Sequence, residues 1–154
     1  MLAMEQTSDL PIWFIPILLL GFPIVFIALW SSISWLIAVT SGYRSLASMR
    51  IDAAEVGEGE KLPTPRFAMI GWASYRGGIL TLRASSKGLT LRVSPLFPFH
   101  KPIRVPWERI QEVAGGGLLF SGAKGSILLD GRVRLRVPEA THAAICAAKA
   151  RYGG

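Results

Sequence analysis

The stretch LPIWFIPILLLGFPIVFIALWSSISWLIAVTSGY, Leu10 to Tyr43, runs 34 residues with no ionisable side chain apart from the Tyr43 phenol at its end. A hydrocarbon core of about 30 Å needs only about 20 helical residues, so this run is long enough to cross a bilayer. A secretory signal would carry a positive leader and an apolar core of about 7 to 15 residues. Here Glu5 and Asp9 precede the run and no Lys or Arg does. A core helix without a polar face would need a large protein around it, and this chain has 154 residues. A membrane span over residues 10–43 is the reading left, and one span rather than two, since two would need about 40 apolar residues.

Trp13 and Trp35 are 22 positions apart, about 33 Å along a helix, which suits indoles at the two interfaces. Tyr43 and Arg44 are expected beside Trp35 at the second interface. Pro11, Pro16, Pro23 and Gly21 crowd the first half of the run. Each internal proline removes a helix hydrogen bond, so the regular part is expected over Ile24 to Val39. Arg44 and Arg50 follow the span and no cation precedes it. The positive-inside rule then places residues 1–9 outside and the C-terminal domain in the cytoplasm.

Charge is divided along the chain. Residues 1–65 carry 3 Lys/Arg and 6 Asp/Glu, net −3, and residues 66–154 carry 14 and 4, net +10, which together make the overall +7. The mean hydropathy of +0.40 comes largely from the N-terminal third. Cys146 is the single cysteine, so an intrachain disulfide is impossible and a reducing compartment is the natural setting.

After a short helical continuation from Ser41 to Ile51, the acidic, Gly- and Pro-rich segment Asp52 to Pro65 reads as a surface linker. Residues 44–65 are thus expected as juxtamembrane helix and linker, a solvated spacer or, less simply, an acidic screen folded back on a basic domain. Residues 66–154 then read in period two. Ile79–Arg83 and Leu89–Val93 alternate apolar with polar around a four-residue loop, Ser85 to Gly88. Ser126–Leu129 and Arg132–Val137 flank Asp130-Gly131, a strong hairpin signal. Further short strands are expected over Phe67–Ala73, Ile103–Trp107, Ile110–Ala114 and Leu118–Ser121, about seven in all. From Pro138 the period changes. Thr141, Ile145, Ala148 and Tyr152 share one face of a final helix that opens with Glu139, closes with Lys149 and Arg151, and stops at Gly153.

Short antiparallel strands closed by one C-terminal amphipathic helix resemble a pleckstrin-homology-like (PH-like) domain. The run Gly88 to Phe97, followed by Pro102-Ile-Arg-Val-Pro-Trp107 and Ile110, is similar to small bacterial membrane-anchored proteins with such a domain, in which a Leu-Phe segment, a His-Pro and an Ile-Pro-Trp recur. The resemblance covers about residues 67–150, and the chain departs from it by inserting Lys101 between His100 and Pro102. It implies a membrane-anchored α+β protein, with one transmembrane helix followed by an antiparallel β-barrel or sandwich and a C-terminal helix. The implied role is recognition or scaffolding, with no catalytic residue to carry over.

The residues themselves point to little chemistry. His100 lies in a Pro-rich loop and His142 in the last helix, neither with the spacing of a metal site. Glu108 and Glu112 flank Arg109 as solvated charges. Gly115–Gly117 and Gly122–Ser126 lack the GxxxxGK[ST] spacing and do not open a helix, so they do not read as a phosphate loop. No nucleophile, base and orienter fall together. The expectation is a chain that is not an enzyme and takes no metal or cofactor.

A basic surface is what remains. Arg132, Arg134 and Arg136 alternate with Val133, Leu135 and Val137, and Arg83 and Arg92 alternate likewise on their hairpin. For any one of them, the solvated side of a half-buried sheet is a sufficient explanation. Arg76, Lys87, Lys101 and Lys124 in loops would reach anionic headgroups or an acidic partner first. Phe97 and Phe99, in Leu96-Phe-Pro-Phe99, read equally as an apolar wedge or a core-covering loop. The leading function is a non-catalytic, membrane-tethered interaction protein, an accessory subunit of a larger inner-membrane complex. The alternative is an anionic-lipid-binding module. Nucleic acid is disfavoured, since the aromatic motif of RNA-binding sheets is absent and the domain is tethered.

Overall fold

The computed structural model describes residues 11, 13–113 and 125–153, and the chain divides into two units, Met1–Ile33 and Ser34–Gly154. Helix α1, Phe14–Thr40, begins in the first and ends in the second. It is long and apolar enough to span a membrane, and its most apolar window is wholly unburied. The helical part starts earlier than the proline pattern implies. Pro16 falls in the first turn, where a backbone N–H has no intrahelical acceptor anyway, and only Pro23 lies in the helix interior. Within the first unit, Phe22 stacks on Phe26 at 6.1 Å and Phe26 on Trp30 at 6.5 Å, the i, i+4 spacing of one helix face.

Helix α1 ends because Gly42 takes φ +81°, a left-handed conformation, while the Ser41 N–H bonds the Ile37 carbonyl at 2.9 Å. A 3₁₀ helix follows at once, Tyr43–Met49. With three residues per turn, Tyr43, Leu46 and Met49 fall on one side, and all three are buried. Tyr43 is therefore a core residue.

Residues 52–65 are folded onto the second unit. A 3₁₀ turn, Ala53–Gly57, buries Val56, and Leu62 joins the core. Nine strands follow among the described residues: β1 Glu60–Lys61, β2 Phe67–Ile70, β3 Ala73–Arg76, β4 Leu80–Ser85, β5 Gly88–Val93, β6 Ile103–Val105, β7 Ile110–Glu112, β8 Gly125–Leu129 and β9 Val133–Val137. Helix α2, Glu139–Tyr152, closes the chain.

One antiparallel sheet has the order β1-β4-β5-β6 and the other β3-β2-β9-β8-β7. The single strand expected over Phe67–Ala73 is split, because Gly71 takes φ +61° and turns the chain into β3, which pairs back from Phe67↔Arg76 to Ile70↔Ala73. The β4–β5 turn is tighter than expected, since Ser85 pairs with Gly88. In the β8–β9 hairpin both Asp130 and Gly131 have positive φ, as a primed turn requires. Leu129 pairs with Val133, leaving Arg132 in the turn. Ile103–Trp107 divides into β6 and a 3₁₀ turn, Trp107–Arg109. The strand expected over Leu118–Ser121 and the glycine runs before residue 125 lie outside the described residues.

Inward residues of both sheets, Leu80, Leu82, Leu89 and Leu91 with Ile127, Val133 and Leu135, share one core with Leu46 and Ile145. Helix α2 packs against β8 of one sheet and β4 and β5 of the other. Its buried face is Thr141, Ile145 and Ala148, with Tyr152 half-buried. Among the described residues the fold is α+β: one long apolar helix, two antiparallel sheets and a C-terminal helix.

Candidate functional site

The arginines of the two hairpins occupy different surfaces. Arg83 and Arg92 project from β4 and β5 into an open groove on the outer side of the first sheet, walled by Ala53–Gly57 and floored by Thr81 and Thr90. Arg134 and Arg136 project from β9, in the middle of the other sheet, and Arg132 is exposed in its turn. Period two alone assigns a side chain to the outer face of its own sheet, and the two sheets here are distinct.

Several of these cations are already engaged. Lys87 pairs with Glu58 at 3.2 Å, the Arg83 guanidinium donates to the Gly59 carbonyl at 3.0 Å, and Arg76 lies 5.6 Å over the Phe67 ring. The strongest pairing belongs to Arg104, which the sequence reading did not single out. Its side chain, 7% exposed, donates to Thr90 Oγ1 at 3.2 Å and to both the Glu55 carboxylate and the Glu55 carbonyl at 2.8 Å, and meets Glu58 at 3.2 Å. Arg151 reaches Glu60 at 2.9 Å. The acidic segment is thus an internal counter-charge folded on basic strands, not a solvated spacer. The signal in the sequence was its charge, opposite to that of the domain.

A second basic depression lies where α1 meets the sheets. Trp35, Ala38 and Val39 of its last turns, Arg44 and Arg50 of the following segment, and Pro98, Phe99 and Lys101 of the β5–β6 loop line a space of about 250 Å³. Arg44 lies on the 3₁₀ helix and Arg50 is its extended C-cap, and both line this space. Lys101 is presented from across. Its backbone carbonyl accepts a 2.7 Å hydrogen bond from the Tyr43 hydroxyl. His100, just before it, is buried with its ring 4.9 Å from Tyr43 and its Nε2 2.9 Å from the Tyr75 hydroxyl.

The Leu96–Phe99 loop divides between its two readings. Phe97 packs against the core and edge-on to His100 at 5.6 Å, whereas Leu96 and Phe99 are exposed. Trp72, which sequence reasoning passed over, is 58% exposed at the β2–β3 turn, next to Gly71, whose backbone abuts the Ser41 carbonyl. A large indole left in the open beside the end of an apolar helix is what an interfacial belt uses. Lys124 lies outside the described residues.

Burial raises the Tyr75 phenol to about 12, raises that of Tyr43 further, and lowers the His100 imidazole below its ordinary value. His100 is held neutral as a packing element. Among the described residues no three His, Cys, Asp or Glu side chains are grouped to hold a metal ion. No protein-family model matches the chain, and no curated protein or solved structure matches it.

Proposed function

We propose that the chain is a membrane-tethered interaction protein without catalytic activity, whose PH-like domain recognises a partner at the cytoplasmic face of the inner membrane. One observation carries this reading. The last turns of the apolar helix are part of the folded domain, with Ser34 and Ala38 buried and Gly42 leading straight into core residue Tyr43. A sensor that ranges freely would use a flexible tether, whereas this domain is built onto the end of its anchor. Two antiparallel sheets bridged by a C-terminal helix support the PH-like assignment. Exposed Trp72 and Phe99 beside that junction, and a net charge of +9 over residues 34–154 (17 Lys/Arg less 8 Asp/Glu), support apposition to an anionic surface.

The partner is inferred to be an integral-membrane protein whose helices pack on the exposed rings of Phe22 and Phe26. Purification of the full chain in a gentle detergent tests this. Stoichiometric co-purification of membrane subunits is the expected result, and a free monomer under every mild condition would sink it. A C-terminal tag digested from the cytoplasmic side only is the expected orientation.

A further inference from the structure

We propose that the depression lined by Trp35, Val39, Arg44, Arg50, Phe99 and Lys101 binds the phosphate of an anionic phospholipid, in the leaflet where α1 leaves the membrane. Arg44, Arg50 and Lys101 are its cationic ligands, and Trp35, Val39 and Phe99 flank the first carbons of its acyl chains. The inference rests on α1 crossing a membrane, as proposed above.

Three cations converge here without a counter-charge. Elsewhere in the domain Lys87, Arg104, Arg109 and Arg151 each have a carboxylate within 3.2 Å. Among the described residues, no acid lines this depression and no side chain of Arg44, Arg50 or Lys101 makes an ion pair or hydrogen bond. Like charges gathered on a small surface repel, and a bound anion removes that cost while gaining charge-assisted hydrogen bonds.

The site is also organised before any ligand arrives. Arg44 sits on a 3₁₀ helix whose Tyr43, Leu46 and Met49 are locked in the core, and Arg50 is the extended residue that caps its end. Arg50 is further held by its bridge to Ile103, and Ile51 donates to the Pro102 carbonyl at 3.1 Å. Lys101 is clamped through its own carbonyl by Tyr43.

A lipid fits better than a soluble phosphate because the lining is two-sided. Five of the eight lining residues, Trp35, Ala38, Val39, Pro98 and Phe99, are apolar. Trp35 is 47% exposed and Phe99 42%. A free anion would leave those rings in water, whereas acyl carbons beside α1 would cover them. The space of about 250 Å³ is also below the usual range of pockets that enclose a whole soluble ligand, which suits one headgroup of a molecule held by the bilayer.

The test uses the full chain in nanodiscs of mixed phosphatidylglycerol and phosphatidylcholine, followed by native mass spectrometry of retained lipid. The expected result is one phosphatidylglycerol retained per chain, lost in R44Q/R50Q/K101Q and kept in the charge-matched R92Q/R132Q/R134Q. Each single removal should weaken retention about fivefold, the share of one basic residue at an anionic surface. Conservative R44K and R50K variants should retain most of it, which separates lost charge from lost fold. Equal retention by the two triple variants, or retention indifferent to lipid charge, would overturn the site. Displacement by millimolar inorganic phosphate would overturn the lipid assignment in favour of a soluble anion. Alkaline extraction of the same membranes checks the premise independently: release of the chain would overturn the membrane reading itself, whereas a chain that stays embedded leaves any loss at the site to be judged alone.

Discussion

The hydroxyl of Tyr43 donates a 2.7 Å hydrogen bond to the carbonyl of Lys101, joining the residue that follows the apolar helix to a loop 58 positions later. That bond is why the end of the anchor and the β5–β6 loop form one surface. Burial keeps the phenol protonated, so the donor persists across the physiological range.

Replacing Tyr43 by Phe removes the donor and leaves the part-buried Lys101 carbonyl without it. A loss of about 1 kcal/mol is expected, read as a lower unfolding midpoint of the detergent-solubilised chain. Tyr43→Ala also empties ring volume beside His100 and should cost about 3 to 5 kcal/mol. A silent Tyr43→Phe would mean the loop is held by packing alone.

His100 makes stability depend on pH. Its folded value is depressed by burial below the ordinary 6.5, so the unfolded chain binds the proton first as pH falls. The stabilisation is complete above about 6.5 and is lost as pH drops through the folded value. One ring nitrogen, Nδ1, is buried without a partner, and an imidazolium would add a donor that needs one. Unfolding midpoints measured from about pH 8 to pH 5 should therefore fall on the acid side. His100→Gln should flatten that limb, and an unchanged limb would refute the assignment.

Arg104 holds the acidic segment. Arg104→Met removes its hydrogen bonds to Glu55 and Thr90, an expected loss of about 2 kcal/mol, tempered because Glu55 is half-exposed. Amides of residues 53–61 should exchange with solvent faster, with β8 and β9 little changed. Uniform exchange across both sheets would show instead that the segment unfolds only with the whole domain.

Gly71 has φ +61°, and a Cβ there would run into the Ser41 carbonyl at the end of α1. Gly71→Ala should cost more than about 1 kcal/mol, against the small gain an alanine gives at a permissive site. At Gly131, where φ is +65° but the space is open, the same change should cost less. Thermal melts of the two variants side by side would decide it.

Much of the secondary structure was legible because its causes are local. The apolar run, the alternation in β4, β5 and β9, the Asp130-Gly131 turn and the Thr141, Ile145, Ala148 face all depend on neighbours within a few residues. The missed hairpin at Phe67–Arg76 turned on Gly71 taking a positive φ, which apolar patterning does not register. The buried role of Tyr43 was hidden for a similar reason. A tyrosine at the end of an apolar run resembles an interfacial residue until a 3₁₀ period turns it inward with Leu46 and Met49.

By itself, then, the sequence determined that this chain has one helix able to span a membrane, followed by antiparallel strands and a closing helix, because charge, periodicity and turn chemistry are short-range properties. Only the tertiary structure decided which charges face one another. It drew Glu55 and Glu58 onto Arg104, separated the arginines of β4 and β5 from those of β9, and brought Lys101 opposite Arg44 and Arg50. Ion pairing and pocket lining are set by distance in space, and residues some fifty positions apart in the chain acquire that distance only when the sheets close.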